Sequence, residues 1–294
     1  MIYDRLGLSV LFRVGRGLRL IFMSRIRPCT ILAGAVAAGF VLLYGFVPHA
    51  DDRDHMPPSR PAGPVPDRET HTRYIGLVGD SWVADGRLET PLRAAFEKLG
   101  IEVECRSEGF RGADSRRIRE ELFRQDPRTG GPLGLLSNPE IRLIVVIGGV
   151  NDVLEHRGPE RYATEMLRLA AETADWDIRT CIVEIARFGQ GTEPKLSRVE
   201  HLLRSMRKLL YEDRTQDPVS RYRAALRERL KRNPQPSVHL IDPDPAIPDY
   251  TENKDLYSNA YHLNAKGDSV LAGLIAGSLS DFVAREKPCT RPSE

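Results

Sequence analysis

From residue 74 onward the sequence alternates short apolar runs with longer stretches whose apolar residues recur at helical spacing. The short runs are rich in β-branched residues, which favours strands over helices. The predicted strands are 74–78, 101–105, 141–147, 178–183 and 238–241. The predicted helices are 88–99, 115–123, 159–173, 196–211, 220–230 and 265–284. This alternation predicts an α/β domain in which helices cover both faces of a parallel sheet, with ligand sites at the carboxyl ends of strands.

The first 72 residues differ in composition and predict a membrane anchor followed by a stalk. Residues 29–47 form a run of 19 uncharged, mostly apolar residues, about the length that crosses a bilayer core. Arginines precede this run and aspartates follow it, which places the N-terminus in the cytoplasm and the rest outside. A cleaved signal peptide is the competing interpretation, but the basic segment is long and Pro48 occupies a position where cleavage needs a small residue. Residues 49–72 contain five prolines among charged residues, as an extended linker does.

These features divide the chain and set its expected location. The segments are a basic cytoplasmic segment (1–28), a transmembrane helix (29–48), a Pro-rich linker (49–72), a folded domain (73–287) and a tail (288–294). We expect a single-pass membrane protein with a periplasmic or extracellular domain. The net charge of +2 becomes −3 once the five net positive charges of the first 27 residues are set aside, so no nucleic-acid partner is expected. The four cysteines form no C-x-x-C pair, and neither a zinc site nor a disulfide framework is predicted.

Three polar blocks stand beside predicted elements and carry residues suited to chemistry. Residues 79–82 read Gly-Asp-Ser-Trp, residues 148–152 read Gly-Gly-Val-Asn-Asp, and residues 259–267 read Asn-Ala-Tyr-His-Leu-Asn-Ala-Lys-Gly. A serine hydroxyl is a weak nucleophile until a base removes its proton, so Ser81 in that role requires a histidine elsewhere. Each block by itself also fits an ordinary turn or helix cap, because Gly, Asp, Asn and Ser are favoured at both.

With Gly112, in a Gly-Phe-Arg-Gly block after the second predicted strand, these segments resemble the four signature blocks of the SGNH/GDSL hydrolases, in family order. The resemblance covers roughly residues 74–285, and its three longer motifs are jointly specific. It implies a flavodoxin-like three-layer sandwich with a mostly parallel five-stranded sheet, here preceded by the predicted transmembrane helix.

The resemblance also implies roles for individual residues. Ser81 would attack an ester carbonyl and His262 would take its proton. The backbone N–H groups of Ser81 and Gly112 and the Asn151 side chain would form the oxyanion hole, and no cofactor would be needed. Asp80 and Asp152, which stand beside these residues, are expected to hold their loops through hydrogen bonds to backbone N–H groups.

The sequence departs from the family's pattern at one position. The family places an aspartate three residues before the histidine, where this chain has Asn259. An aspartate fixes the imidazole tautomer and stabilises the imidazolium, whereas a neutral amide does less of the second. Three explanations stay open: a Ser–His dyad oriented by backbone or water, an acid supplied by another residue such as Asp255, or a domain without turnover.

The expected function is hydrolysis or transfer of a small acyl group, with acetyl as the leading candidate, on a carbohydrate outside the membrane, through an acyl-Ser81 intermediate. The family also includes lipases, thioesterases and phospholipases, and the sequence does not choose among them. The rival hypothesis is a membrane-anchored binding or assembly module that has lost turnover. Residues 187–235 contain basic helical stretches, which fit either a solvated face or a lid that contacts acidic polysaccharide.

Overall fold

Five parallel strands form the sheet that organises the described part of the chain. The computed structural model describes residues 73–128, 133–189, 205 and 217–285. The strands are β1 Arg73–Gly79, β2 Val103–Gly109, β3 Ile141–Ile147, β4 Arg179–Val183 and β5 Val238–Ile241. They lie in the order β2-β1-β3-β4-β5, and every neighbouring pair is parallel. The α/β fold with a parallel five-stranded sheet is therefore confirmed.

Helices pack on the sheet in two groups. The helices are α1 Glu89–Glu97, α2 Ser115–Leu122, α3 Val150–Leu154, α4 Pro159–Ala174, α5 Pro218–Arg232 and α6 Ala265–Arg285. Helix α1 packs against α6, while α4 packs against both α2 and α5. From β1 the chain moves to the neighbouring edge strand β2, and it then moves in the opposite direction across the sheet to β3, β4 and β5. Because crossovers between parallel strands are right-handed, this reversal places the two groups of helices on opposite faces of the sheet.

Three strands end side by side, and glycines allow the close approach that this requires. Gly79, the last residue of β1, is in register with Gly109 of β2 and Ile147 of β3. A Cβ on Gly79 would lie 1.9 Å from the Ile147 carbonyl oxygen, and one on Gly109 would lie 2.2 Å from the backbone nitrogen of Ala84. Only glycine fits at either position. The loops after β1, β2 and β3 therefore start at one edge of the sheet.

The predicted elements match the structure best where apolar residues run continuously. In β3 every residue except Arg142 is buried, as in a central parallel strand. The strand predicted at 101–105 is present as β2, but it begins at Val103 and extends to Gly109, four residues beyond the predicted end, because its later residues are polar. As an edge strand it continues in register with β1 through Glu108, held by backbone hydrogen bonds rather than by burial.

Three short elements have no periodic signal and were not predicted. They are helix α3 and an antiparallel two-stranded ladder, β6 Tyr257–Asn259 and β7 His262–Leu263. The predicted transmembrane helix, the linker, the tail and nearly all of the helix at 196–211 lie outside the described residues. Within the described part, one helix, α6, has the length and composition of a membrane span. Its buried residues, such as Leu271, Ile275 and Leu279, belong to the hydrophobic core.

The basic residues of α5 form ion pairs with the ends of β4 and β5. Arg223 is 5% exposed, and its Nη2 donates to Asp244 Oδ1 at 2.8 Å. Arg227 donates to the buried carboxylate of Glu184 and to Asp242 Oδ2 at 3.0 Å. These two arginines therefore pair with carboxylates of the domain itself. The choice between a solvated face and a lid for residues 187–235 stays open, because 190–204 and 206–216 lie outside the described residues.

Candidate active site

Ser81 lies in a tight turn directly after β1. The backbone N–H groups of Val83 and Ala84 donate to the Asp80 carbonyl at 3.2 and 3.1 Å. The Asp80 carboxylate is fully buried and accepts the Trp82 N–H at 3.0 Å. The predicted structural role of Asp80 is thereby confirmed, and it leaves the half-buried Ser81 side chain facing the edge of the sheet where the strands end.

His262 comes to Ser81 from the β6–β7 ladder, 181 residues later in the chain. Its Nε2 lies 3.0 Å from Ser81 Oγ. Its Nδ1 lies 3.0 Å from Asn259 Oδ1. The structure therefore brings together the serine, the histidine and the asparagine that the sequence indicated, in one hydrogen-bonded line.

The backbone around Asn259 determines which of its side-chain atoms faces the imidazole. Asn259 Oδ1 also accepts the backbone N–H groups of Tyr261 at 2.9 Å and His262 at 3.0 Å. Two donors converge on this atom, so it is the amide oxygen and not the NH2 group. An oxygen there accepts a hydrogen bond from Nδ1–H, so the ring proton stays on Nδ1 and Nε2 is free to accept the Ser81 proton. The neutral amide thus selects the tautomer that a general base needs.

Asp255, the alternative acid, does not occupy this position. Its side chain is exposed, and its backbone carbonyl accepts a hydrogen bond from Asn264 Nδ2 at 2.7 Å. Since Asn259 already bonds to Nδ1 of His262, the structure favours an asparagine-oriented Ser–His pair over a pair completed by Asp255.

The His262 ring lies in an environment that disfavours its protonated form. Burial is the largest cause that lowers the pKa of His262, and the positive charges of Arg87 and Arg111 lower it further. Arg111 forms an ion pair with Asp85 at the rim of the site. His262 therefore stays neutral, and able to accept a proton, to lower pH than an unperturbed histidine.

Gly112 lies in the loop after β2 and Asn151 lies in α3, directly after β3, and hydrogen bonds join these segments to β1 and to each other. The Phe110 N–H donates to the Gly79 carbonyl at 2.8 Å. Asn151 Nδ2 donates to the Ala113 carbonyl at 3.0 Å, which joins α3 to the loop after β2. Gly112 has φ of +69°, and a Cβ there would meet nothing within 4 Å. Glycine is thus needed at this position for its backbone conformation and not for space.

Asn151 has a second amide N–H that can serve a ligand. Nδ2 lies 3.5 Å from Asp80 Oδ2, so the hydrogen bond that this second N–H makes there is long and weak. A carbonyl oxygen bound beside Ser81 would compete for this N–H. The arrangement can therefore support nucleophilic attack, proton removal and stabilisation of a developing oxyanion.

Comparison with known proteins settles the family. The GDSL-like Lipase/Acylhydrolase family matches the sequence over residues 77–270, about two thirds of the chain. The chain belongs to this family. It is a GDSL-type hydrolase that acts on ester bonds. No curated protein sequence matches it significantly.

Two solved structures share the fold of this GDSL hydrolase. A putative acylhydrolase from Bacteroides fragilis is 14% identical with a TM-score of 0.50, over 75% of this chain and 91% of its own. The esterase EstA from a Pseudoalteromonas species, in a structure inhibited by monoethylphosphonate, is 14% identical with a TM-score of 0.50, over 72% of this chain and 100% of its own. At this identity the likeness concerns the fold alone.

A second buried carboxylate, that of Asp152, joins segments of the GDSL hydrolase that are distant in sequence. Asp152 accepts the backbone N–H and the hydroxyl of Ser115, both at 2.7 Å, which confirms its predicted structural role. Tyr222 donates its hydroxyl to the Asp152 carbonyl at 3.0 Å. Burial raises the pKa of both Asp80 and Asp152 to about 7. Sequence reasoning missed Ser115 and Tyr222, because contacts between distant segments leave no local pattern.

Within the residues that the structure describes, no group of three or more His, Cys, Asp or Glu side chains is arranged to hold a metal ion. The described cysteines, Cys105 and Cys181, are buried and unpaired with each other. Burial raises the pKa of the Cys105 thiol to about 12; the positive charge of Arg93 lowers it by less, and Glu89 and Glu104 add to the rise. Such a thiol is a packed apolar group and not a reactive one.

Proposed function

We propose that this chain is a serine esterase or acyltransferase that acts on acetyl or other small acyl esters of a carbohydrate outside the cytoplasmic membrane. The observation that carries the proposal is the line of hydrogen bonds from Ser81 Oγ through His262 to Asn259 Oδ1. A serine next to a neutral, oriented imidazole is an activated nucleophile, and the second N–H of Asn151 can donate a hydrogen bond to an oxyanion.

Acylation follows from this geometry. His262 Nε2 takes the proton of Ser81 Oγ while Oγ bonds to the ester carbonyl carbon, and the carbonyl electrons move onto oxygen. The backbone N–H groups of Ser81 and Gly112 and the Asn151 amide stabilise that oxyanion. The intermediate collapses, His262 gives its proton to the departing alcohol, and the acyl group stays on Ser81.

Deacylation repeats the steps with a second nucleophile. A water molecule loses a proton to His262 Nε2, attacks the acyl-Ser81 carbonyl and releases the carboxylic acid, while Ser81 recovers its proton. A sugar hydroxyl in place of water gives transfer instead of hydrolysis. Asn259 keeps the imidazole in the required tautomer through both halves, but as a neutral group it stabilises the imidazolium less than a carboxylate does.

The location and substrate class rest on the sequence. The apolar run at 29–47, with arginines before it and aspartates after it, supports a membrane anchor that leaves the hydrolase domain outside the cytoplasm. A domain tethered there would meet acylated carbohydrates of the envelope, which supports this substrate class. A catalytically impaired binding or assembly module is the second candidate, and the observation that favours it is the neutral Asn259 beside His262.

A phosphonate probe and an activated ester test the proposal together. The purified full-length chain should react with a fluorophosphonate and hydrolyse p-nitrophenyl acetate, and Ser81→Ala should abolish both, because Ser81 Oγ is the nucleophile. Ser269→Ala is a matched control, since the Ser269 hydroxyl bonds only within its own helix, to the Ala265 carbonyl at 2.9 Å. Activity that survives Ser81→Ala would refute the assignment, and a folded wild-type chain that neither labels nor turns over would favour the binding module.

A further inference from the structure

Two side chains of the nucleophile segment hold the backbone on either side of His262. Trp82 Nε1 donates to the Tyr261 carbonyl at 2.8 Å. Arg87 Nη1 donates to the Leu263 carbonyl at 3.2 Å. We call this pair of residues, Trp82 and Arg87, the histidine clamp.

We propose that the histidine clamp positions His262 against Ser81, so that Trp82 and Arg87 are positioning residues for catalysis although neither touches the reacting atoms. The proposal rests on the proposed function, because it assigns the clamp to the alignment of the general base. A shift of about 1 Å in such an alignment can cost on the order of 100-fold in rate.

The ladder that carries His262 is short and needs support from elsewhere. Strand β7 has only two residues, and its register with β6 is irregular. The Gly189 N–H donates to the Ala260 carbonyl at 2.7 Å, and the rings of Phe188 and Tyr261 lie 5.9 Å apart. These contacts attach the ladder to the loop after β4. The histidine clamp attaches it to the segment that holds the nucleophile.

Trp82 is a rigid member of the histidine clamp. Its side chain is 5% exposed, and its backbone N–H is fixed by the buried Asp80 carboxylate at 3.0 Å. The indole therefore leaves the nucleophile turn in a fixed direction and meets the Tyr261 carbonyl, one residue before His262. This contact has no charge, so its loss changes the geometry of His262 and not the local electrostatics.

Arg87 has two separable effects on His262. Its guanidinium bonds to the Leu263 carbonyl and lies 3.6 Å from the carboxylate of Asp268, which is largely buried in the first turn of α6. Its positive charge also lowers the pKa of His262. Arg111 lowers that pKa as well, but its ion pair is with Asp85. Substitution of Arg111 therefore tests the effect of a nearby positive charge by itself, because it is Arg87 that bonds to the Leu263 carbonyl.

The neutral Asn259 explains why a clamp is useful here. A carboxylate would attract the imidazolium and help to hold the ring by charge, whereas the amide offers one hydrogen bond of ordinary strength. More of the alignment then falls to the backbone on either side of the ring. It follows that the clamp should matter less in an Asn259→Asp background.

The test uses substitutions that separate alignment from charge and from general stability. Trp82→Phe removes the indole N–H, Arg87→Gln removes the charge and the guanidinium fork, and Arg87→Lys restores the charge. Trp176→Phe is the control for Trp82→Phe. Trp176 is also buried, at 4% exposed, and packs edge-on against Phe123, but it precedes β4 and so lies at the edge of the sheet opposite Ser81. Arg93→Gln is the control for Arg87→Gln, because Arg93 is an exposed arginine of α1.

We expect Trp82→Phe to lower kcat for p-nitrophenyl acetate by about 10-fold or more, with KM changed less than about twofold and the acid limb of the pH profile unmoved. Arg87→Gln should lower kcat and move the acid limb to higher pH, since losing a nearby positive charge raises the pKa of His262. Arg87→Lys should return the limb to the wild-type pH and recover part of kcat. Arg111→Gln should move the limb with little loss of kcat at high pH.

Hydrogen exchange supplies a readout that does not depend on turnover. Backbone amides of residues 257–263 should exchange about tenfold faster in Trp82→Phe than in Trp176→Phe or the wild type. If the wild-type chain shows no esterase activity, the proposed function fails while this comparison still decides whether the clamp exists. Unchanged exchange, or a kcat within about twofold of wild type in both Trp82→Phe and Arg87→Gln, would overturn the proposal. Equal loss of kcat in Trp82→Phe and Trp176→Phe would overturn it too.

Discussion

Replacing Asn259 by aspartate adds one charge to the site with almost no change in shape. Asn259 Oδ1 accepts three hydrogen bonds, from His262 Nδ1 and from the backbone N–H groups of Tyr261 and His262, at 2.9 to 3.0 Å. A carboxylate oxygen accepts the same three bonds. Asn259→Asp should therefore fold normally, raise the pKa of His262 and stabilise the imidazolium that forms as Ser81 attacks.

The size of the gain follows from the distance and from solvent exposure. Unit charges about 4 Å apart attract by about 4 kcal/mol at an effective dielectric of 20. Asn259 is exposed and His262 is half-buried, so solvent screens much of this attraction. If about a third of this attraction stabilises the transition state, the barrier falls by about 1.4 kcal/mol and kcat rises about tenfold.

The pH profile gives this prediction a second signature. His262 must be neutral to accept the Ser81 proton, and a raised pKa keeps it protonated to higher pH. The acid limb of kcat/KM should therefore move upward, so the gain is full at alkaline pH and smaller near pH 6. Stopped-flow hydrolysis of p-nitrophenyl acetate by the full-length chain between pH 5 and 9 measures both effects.

Asn138→Asp is the matched control for this substitution. Asn138 Oδ1 also accepts a backbone N–H, from Glu140 at 3.0 Å, but it precedes β3 at the opposite edge of the sheet. The control should leave both kcat and the acid limb unchanged. If Asn259→Asp leaves kcat level or lowers it at alkaline pH while circular dichroism shows a folded chain, Asn259 does not orient the ring. Asp255→Asn would then be the next substitution to test.

Three further outcomes follow from the structure. Asn151→Ala should lower kcat by about 10²- to 10³-fold, as the loss of an oxyanion donor does, and a loss below fivefold would exclude that role. Burial raises the folded-state pKa of Asp80 to about 7, above its unfolded value. Protonation of Asp80 therefore contributes its full stabilisation of the fold below about pH 4, and this contribution is lost as pH rises through 7. Thermal melts of Asp80→Asn should fall less steeply than wild type between pH 5 and 8, and an unchanged slope would refute this. The full-length chain should resist alkaline extraction from membranes, whereas a mature chain that starts near residue 51 would show a cleaved signal peptide.

The sequence predicted the parts of this fold that burial determines. Strand β3 is apolar almost throughout and was placed at its observed bounds, because a strand covered on both faces leaves a continuous apolar run. Strand β2 was predicted with the wrong bounds, because its second half is polar and is held by pairing with β1. Helix α5 begins two residues before its predicted start, where Asp217 caps the Val219 and Ser220 N–H groups.

The sequence indicated the residues of the candidate site but not the hydrogen bonds that join them. Ser81, His262, Gly112 and Asn151 stand in short motifs, so the sequence could indicate them. The orientation of Asn259 could not be read, because it depends on where two backbone N–H groups point in an irregular ladder. The histidine clamp joins segments about 180 residues apart through backbone carbonyls, and no residue pattern announces such contacts.

The central claim is that the acyl group passes through Ser81, and trapping it there is the most direct measurement. The full-length chain is mixed with p-nitrophenyl acetate, quenched in acid within the first turnover, digested and examined by peptide mass spectrometry. The expected result is a single acetyl group on the peptide that contains Ser81, present in the wild type and lost in Ser81→Ala. Release of p-nitrophenol in a rapid first turnover with no acetyl group on Ser81, or with the group on another residue, would contradict the claim.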